Sequence, residues 1–341
     1  HLGVPTTRSL AVVASGEDVI RERDLPGGIL TRLALSHIRV GTFEFAASQN
    51  NTDYLAALVD YVVQRHYPEL MQGENKALDL IQIVIEKQID TIVEWMRIGF
   101  IHGVMNTDNM SITGETIDYG PCAFMDAYNP NKVFSSIDHH GRYAFANQPR
   151  IAQWNLARFA ETLLPLIDQN EKKAIERAST VVSQFSSRYQ EKWYAMMRKK
   201  LGLSSKEEHD GKLIKALLEW MFSQDMDYTN TFKDLTYEKN GLSGRYEQKT
   251  FIEWHKQWLS RRSKGLSDEE AIALMKRSNP VVIPRNHQVE SVIVAANNGD
   301  YQLCKQLLEV LEKPYENHEK WRNYQNPPNP DEQIYQTFCG T

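Results

Sequence analysis

The stretch Gly99–Pro121, GFIHGVMNTDNMSITGETIDYGP, decides how the rest of the 341-residue chain is read. His102 and Asn109 stand seven residues apart, and Asp118-Tyr119-Gly120 begins nine residues after Asn109. Between them, Met110-Ser111-Ile112 and Thr116-Ile117 have the composition of two short strands, reversed by Thr113-Gly114-Glu115. A hairpin of that size would bring the side chains of Asn109 and Asp118 together. An amide oxygen and a carboxylate converging on one point suit a hard cation such as Mg²⁺, bound along with nucleotide phosphates. The plainer alternative is that Asn109 caps a turn and Asp118 forms an ordinary salt bridge.

The same spacing occurs in the protein-kinase catalytic loop, H-R-D-x-x-x-x-N followed by D-F-G, whose Asn and second Asp hold the metal. Here Val104 stands where that pattern has its catalytic aspartate. Asp108, immediately before Asn109, is the substitute proton acceptor if the loop turns it inward. The other reading, a solvated Thr107-Asp108-Asn109 turn, stays open. Upstream, TRLALSHIRVGTFEF (residues 31–45) carries Arg32 and Arg39 seven apart, with Ser36 and His37 between them. If this segment leads from a strand towards the loop, both guanidinium groups can grip phosphate oxygens with their planar donor forks. Otherwise they are two surface arginines.

Composition places the chain among soluble globular proteins, with 41% apolar and 24% charged residues. A net charge of −5 argues against a nucleic-acid partner. No apolar run reaches the roughly 18 residues of a membrane span, so no membrane partner is expected. The chain opens at His1 with no recognisable signal peptide. Three scattered cysteines form neither a disulfide framework nor a zinc site, and imply a reducing, cytoplasmic setting. Cys122 lies just beyond Asp118-Tyr119-Gly120, and Cys339 is third from the end. A tail thiol folding back would make a redox latch if the two Cα atoms came within about 7 Å. Two unpaired thiols are the alternative.

Residues 1–45 read as β-rich. SLAVVAS is a short apolar run, and VIRERD, LPGG and ILTRLA suggest a hairpin turned at Pro26-Gly27-Gly28. From Thr52 the pattern is helical. Thr52 or Asp53 caps YLAALVDYVVQRHY, and Leu78–Ile101 places apolar residues on one helical face. Beyond the loop, amphipathic segments continue to about residue 313, followed by a polar, proline-bearing tail. The fold class expected is α+β, a small β-rich start (1–45) on a large helical body (46–341).

Several longer stretches, GFIHGVMNTDNMSITGETIDYGP, HHGRYAFANQPRIAQWNLARFAETLLPL, DYTNTF, NPVVIPRNHQVE and the terminal FCGT, resemble the selenoprotein O family, known in bacteria as YdiU. The resemblance runs the length of the chain. It implies a protein-kinase-like fold, long classed as a pseudokinase, with a mostly helical C-lobe after a remnant of the β-rich N-lobe. It also implies transfer of AMP from ATP to Ser, Thr or Tyr hydroxyls of proteins, with Mg²⁺ or Mn²⁺. UMP transfer from UTP is the near alternative; a true kinase and a non-catalytic scaffold are the others. Carried over, Asp108 is the proton acceptor, Asn109 a metal ligand, Asp118 a metal and nucleotide ligand, and Arg32 and Arg39 phosphate-binding residues. Cys122 and Cys339 become a redox pair. A monomer is expected, bacterial-type cytoplasmic or, in a eukaryote, mitochondrial. The family's upstream glycine-rich loop, nucleotide-binding lysine and helix glutamate are missing from the sequence. The chain is therefore expected to be N-terminally truncated and weak in nucleotide binding, with activity residing in the full-length form.

Overall fold

The computed structural model describes residues 1–20, 24–237 and 244–338. Strands β1 (Arg8–Ile20) and β2 (Asp24–Leu33) form an antiparallel ribbon. Leu25-Pro26-Gly27-Gly28 lies inside β2, paired with β1, instead of forming the turn. An edge strand, with one side open to solvent, is where a proline such as Pro26 is tolerated. The register slips between Ala14 and Asp18, opposite Gly27. A Cβ on Gly27 would come within 2.5 Å of Ser15 Oγ and 2.7 Å of the Glu17 carbonyl, so the bulge needs glycine there. Every side chain of β1 is exposed, including Leu10, Val12 and Val13.

Helix α1 (Val40–Ser48) follows, then α2 (Thr52–His66) and α3 (Lys76–Ile98). The cap of α2 is Asn51, one residue earlier than the sequence suggested: its side chain accepts from Tyr54 N–H at 3.0 Å. Asn75 caps α3 in the same way, at 2.9 Å from Leu78 N. Helix α3 is the axis of the core, with Leu80, Ile81, Val84, Ile89 and Ile92 wholly buried. It stops at Gly99, whose φ of 73° is the left-handed conformation that ends helices. Two-residue strands β3 (Phe100–Ile101) and β4 (Ala123–Phe124) then pair antiparallel. This short ladder closes the base of the loop that contains the opening motif.

The rest is helical. Helix α4 (Gln148–Ile167) packs on α1 and α3; α5 (Glu171–Ser183) and α6 (Phe185–Lys200) pack on α3 and α4. Helices α7 (Asp210–Ser223), α8 (Tyr228–Tyr237), α9 (Lys249–Arg262) and α10 (Asp268–Ser278) extend the core. Helices α11 (Asn286–Asn297), α12 (Gln302–Leu311) and the short α13 (Arg322–Gln325) complete the chain. The architecture is mostly helical α+β with two small antiparallel sheets. Among the described residues no helix is long and apolar enough to cross a membrane.

A buried guanidinium ties the distant parts together. Arg285, 1% exposed, donates to Asp126 just past β4 and to Asp227 before α8, the latter at 2.8 Å. It also donates to the Gln325 carbonyl at 2.9 Å. Desolvation raises the Asp126 carboxyl from its ordinary value, against the pull of Arg285. Removing the cation would leave two neighbouring carboxylates without their partner. Arg285→Ala is therefore expected to lower the unfolding free energy by about 3–5 kcal/mol. A urea titration should show this as a lower midpoint at unchanged slope.

Candidate functional site

The loop from His102 to Cys122 does not form the two-stranded hairpin expected from its composition. Each arm bonds instead to chain upstream of it. Val40 N–H donates to Met110 O at 2.9 Å and Ile112 N–H to Ile38 O at 3.1 Å. Thr116 N–H donates to Pro5 O at 2.9 Å and Thr7 N–H to Thr116 O at 3.2 Å. The segments around residues 5–7 and 38–40 carry unpaired backbone groups, and they outcompete a three-residue ladder within the loop. The chain still turns here, but over Ser111–Gly114, ahead of the expected Thr113-Gly114-Glu115, with Gly114 N–H donating to Ser111 O at 3.1 Å.

Polar side chains of α3 fix the loop from beneath. Gln88 donates to Ser111 O at 2.6 Å, Thr91 to Gly114 O, and the Trp95 indole to Thr116 Oγ1 at 2.9 Å. All three are buried. His102 is buried too. Its Nδ1 accepts from Val104 N–H at 3.3 Å, which leaves Nε2–H to donate to Ile117 O at 2.8 Å. Desolvation lowers its pKa from the ordinary imidazole value, so it stays neutral and acts as a strut.

These supports bring Asn109 and Asp118 together. The Asn109 amide nitrogen donates to Val104 O at 2.9 Å and to Asp118 Oδ2 at 2.8 Å. A backbone carbonyl can only accept, so the amide orientation is determined and Asn109 Oδ1 is left unused. Asp118 has φ 61°, an uncommon conformation for a non-glycine residue and one concentrated at functional sites. Both residues line a cleft of about 270 Å³ with Arg32, Arg39, Thr7, His37 and Ile117. Four of the residues singled out in the sequence thus meet in one place. Among the described residues, exposed Arg32 has no carboxylate partner, and the buried Nε of Arg39 has no hydrogen-bond partner. Guanidinium N–H donors left over around a cleft are what an anionic ligand requires.

Asp108 lies beside this cleft and does not line it. Its carbonyl accepts from Arg39 Nη1 at 3.2 Å, and its Oδ1 is 3.8 Å from Arg39 Nη2. It packs over the first turn of α1, where a Cβ on Gly41 would lie 2.2 Å from Asp108 Oδ1. The carboxylate is 64% exposed, open to an incoming molecule. Cys122 donates to Tyr119 O at 3.4 Å, and burial pushes its thiol up to about 12. Cys339 lies outside the described residues. Two positions before it, Thr337 Oγ1 donates to Pro121 O, so the tail reaches the neighbour of Cys122. Thr7 escaped the sequence reading, and Ile117 and His37 figured there only as a strand residue and a spacer; a lone Thr, Ile or His in a loop carries no pattern of its own.

Among the described residues no three His, Cys, Asp or Glu side chains converge as a complete metal cage. Asn109 Oδ1 and the Asp118 carboxylate nevertheless fit a divalent cation that takes its remaining ligands from phosphates and water. The cleft therefore combines two hard oxygen donors with two arginines, a set suited to the phosphates of a nucleoside triphosphate.

Comparison with known proteins agrees with this chemistry. The family model described as protein adenylyltransferase SelO matches residues 1–312. A protein nucleotidyltransferase YdiU from Nitrosococcus oceani is 52% identical over 342 residues, covering 100% of this chain and 69% of its own. Relatives of the same name from Alcanivorax borkumensis and Geobacillus kaustophilus are 53% and 51% identical, again over 100% of this chain and 71% of theirs. The sequence, the loop geometry and these relatives agree: the chain belongs to the SelO/YdiU family and is an enzyme of the nucleotidyltransferase type.

Proposed function

We propose that the cleft binds ATP with Mg²⁺ or Mn²⁺, and that the full-length enzyme transfers AMP to Ser, Thr or Tyr hydroxyls of protein substrates. The observation that carries this reading is the meeting of Arg32, Arg39, Asn109 and Asp118 in one cleft. Asn109 and Asp118 would hold the divalent cation, which supplies Lewis-acid stabilisation of charge on phosphate oxygens. Arg32 and Arg39 bind the phosphates and balance the charge that grows on the pyrophosphate leaving group. The acceptor hydroxyl attacks the α-phosphorus, the bond to the β-phosphate oxygen breaks, and the hydroxyl proton passes to Asp108. Arg39 touches both the cleft and Asp108, which keeps the proton acceptor next to the phosphates.

The chain order supports a kinase-like arrangement, with residues 1–45 as part of a β-rich N-lobe and 46–341 as a helical C-lobe. The bacterial relatives support a cytoplasmic protein. UMP transfer from UTP would use the same groups, since each is assigned to the phosphates, the metal or the acceptor hydroxyl. We further propose that Cys122 and Cys339 form a redox pair; the Thr337–Pro121 contact supports it.

Asp118→Ala in the full-length enzyme should abolish labelling of an acceptor protein by α-labelled ATP, and undiminished labelling would overturn the metal and nucleotide assignment. Asp108→Asn should slow labelling by roughly 10²–10⁴-fold while calorimetric ATP affinity changes little. Label arriving from γ-labelled ATP would instead identify a kinase. For the cysteines, mass spectrometry of an oxidised sample should find a Cys122–Cys339 disulfide; two free thiols would exclude the latch.

A further inference from the structure

A second cavity, about 710 Å³, shares no lining residue with the nucleotide cleft. One wall is the segment between β4 and α4, which contributes Tyr128 and Phe145; the other is α6, which contributes Phe185, Tyr189 and Trp193. The rings are ordered in pairs. Tyr189 lies parallel to Phe185, with centroids 6.2 Å apart and 3° between planes, and Tyr128 stacks on Tyr228 at 5.7 Å and 25°. Held in this way, the rings offer flat apolar faces to a flat ligand.

The polar groups of the cavity are unbalanced. The Tyr228 hydroxyl is used, donating to Met96 O at 2.9 Å. The hydroxyls of Tyr128, Tyr189 and Tyr194 and the indole N–H of Trp193 have no partner among the described residues. Burial pushes the Tyr128 phenol up to about 12 and that of Tyr189 further, so both remain O–H donors at neutral pH. Arg150 lines the cavity, is exposed and has no acidic partner among the described residues, and no Asp or Glu lines the cavity. Unused donors, one free cation and no anion favour a negatively charged, acceptor-rich guest. The volume falls within the roughly 300–1,000 Å³ typical of small-molecule sites.

We propose that this cavity is a second ligand site, taking a flat aromatic small molecule that bears an anionic group. The ring lies among Tyr128, Tyr189 and Trp193, and the anion meets Arg150. An occupant would join Tyr128 and Phe145, on the chain that leads away from Asp118, to α6.

Calorimetric titration of the intact chain with 2-naphthoate, using uncharged 2-naphthamide as its analogue, tests the assignment. Saturable 1:1 binding of naphthoate is expected, with naphthamide about tenfold weaker, as befits one lost charge-assisted hydrogen bond. Arg150→Gln should weaken naphthoate by the same factor and leave naphthamide unchanged. Arg150 is exposed, so this variant should fold. Quenching of the indole fluorescence that is absent in Trp193→Phe would place the ring in the cavity. The proposal fails if naphthoate does not saturate, or if it binds wild type and Arg150→Gln equally. Loss of naphthoate binding in Arg39→Gln would place the probe in the nucleotide cleft and overturn the proposal as well.

Discussion

The site depends on a row of polar side chains buried along one face of α3. Gln88, Thr91 and Trp95 follow at spacings of three and four, so they share a face of the helix. Each donates to an oxygen of the loop between β3 and β4, and Tyr67 adds a fourth hydrogen bond, to Ile112 O at 2.6 Å. A loop packed against the core must find partners for its carbonyl groups, since each one left unmet costs about 1–3 kcal/mol. The row meets that demand from a helix whose buried side is otherwise apolar except for Arg97 near its end. The loop thereby keeps one shape, and Asn109 and Asp118 keep their mutual hydrogen bond.

Around this loop the charges are arranged by close approach. Gly41 leaves room for Asp108 to lie on α1, and Arg39, the residue that opens α1, reaches both Asp108 and the cleft. One short helix thus sets the position of both the proposed phosphate-binding cation and the proposed proton acceptor. Farther back, Arg285 binds Asp126 and Asp227, linking the chain beyond β4 to α8 and to the C-terminal region. Such a pair adds little net stability beyond what its burial costs, and its larger effect is to fix how these elements meet.

Much of the site was legible because its residues follow a fixed spacing. His102, Asn109 and Asp118 form a local pattern, and both arginines fall within one short segment upstream. The strands of the loop were misread because alternating residues indicate only that a segment can pair. They do not say with what, and here the better partners lie around residues 5–7 and 38–40. Pro26-Gly27-Gly28 misled for a related reason: its residues also suit a bulge within an exposed ribbon. The row on α3 was missed because apolar periodicity passes over the polar residues that lie on the same face.

By itself the sequence determined the predominance of helix after residue 52, the buried face of α3, the motif from His102 to Gly120, and the family. These are local periodicities and spacings, which the chain carries wherever it folds. Only the tertiary structure decided that Arg32, Arg39, Asn109 and Asp118 share a cleft, that Asp108 stands beside it, and that a second cavity, lined by aromatic rings, opens between α6 and the segment after β4. Those relations join residues far apart in the chain, and they depend on which buried groups satisfy one another, something no single stretch of sequence encodes.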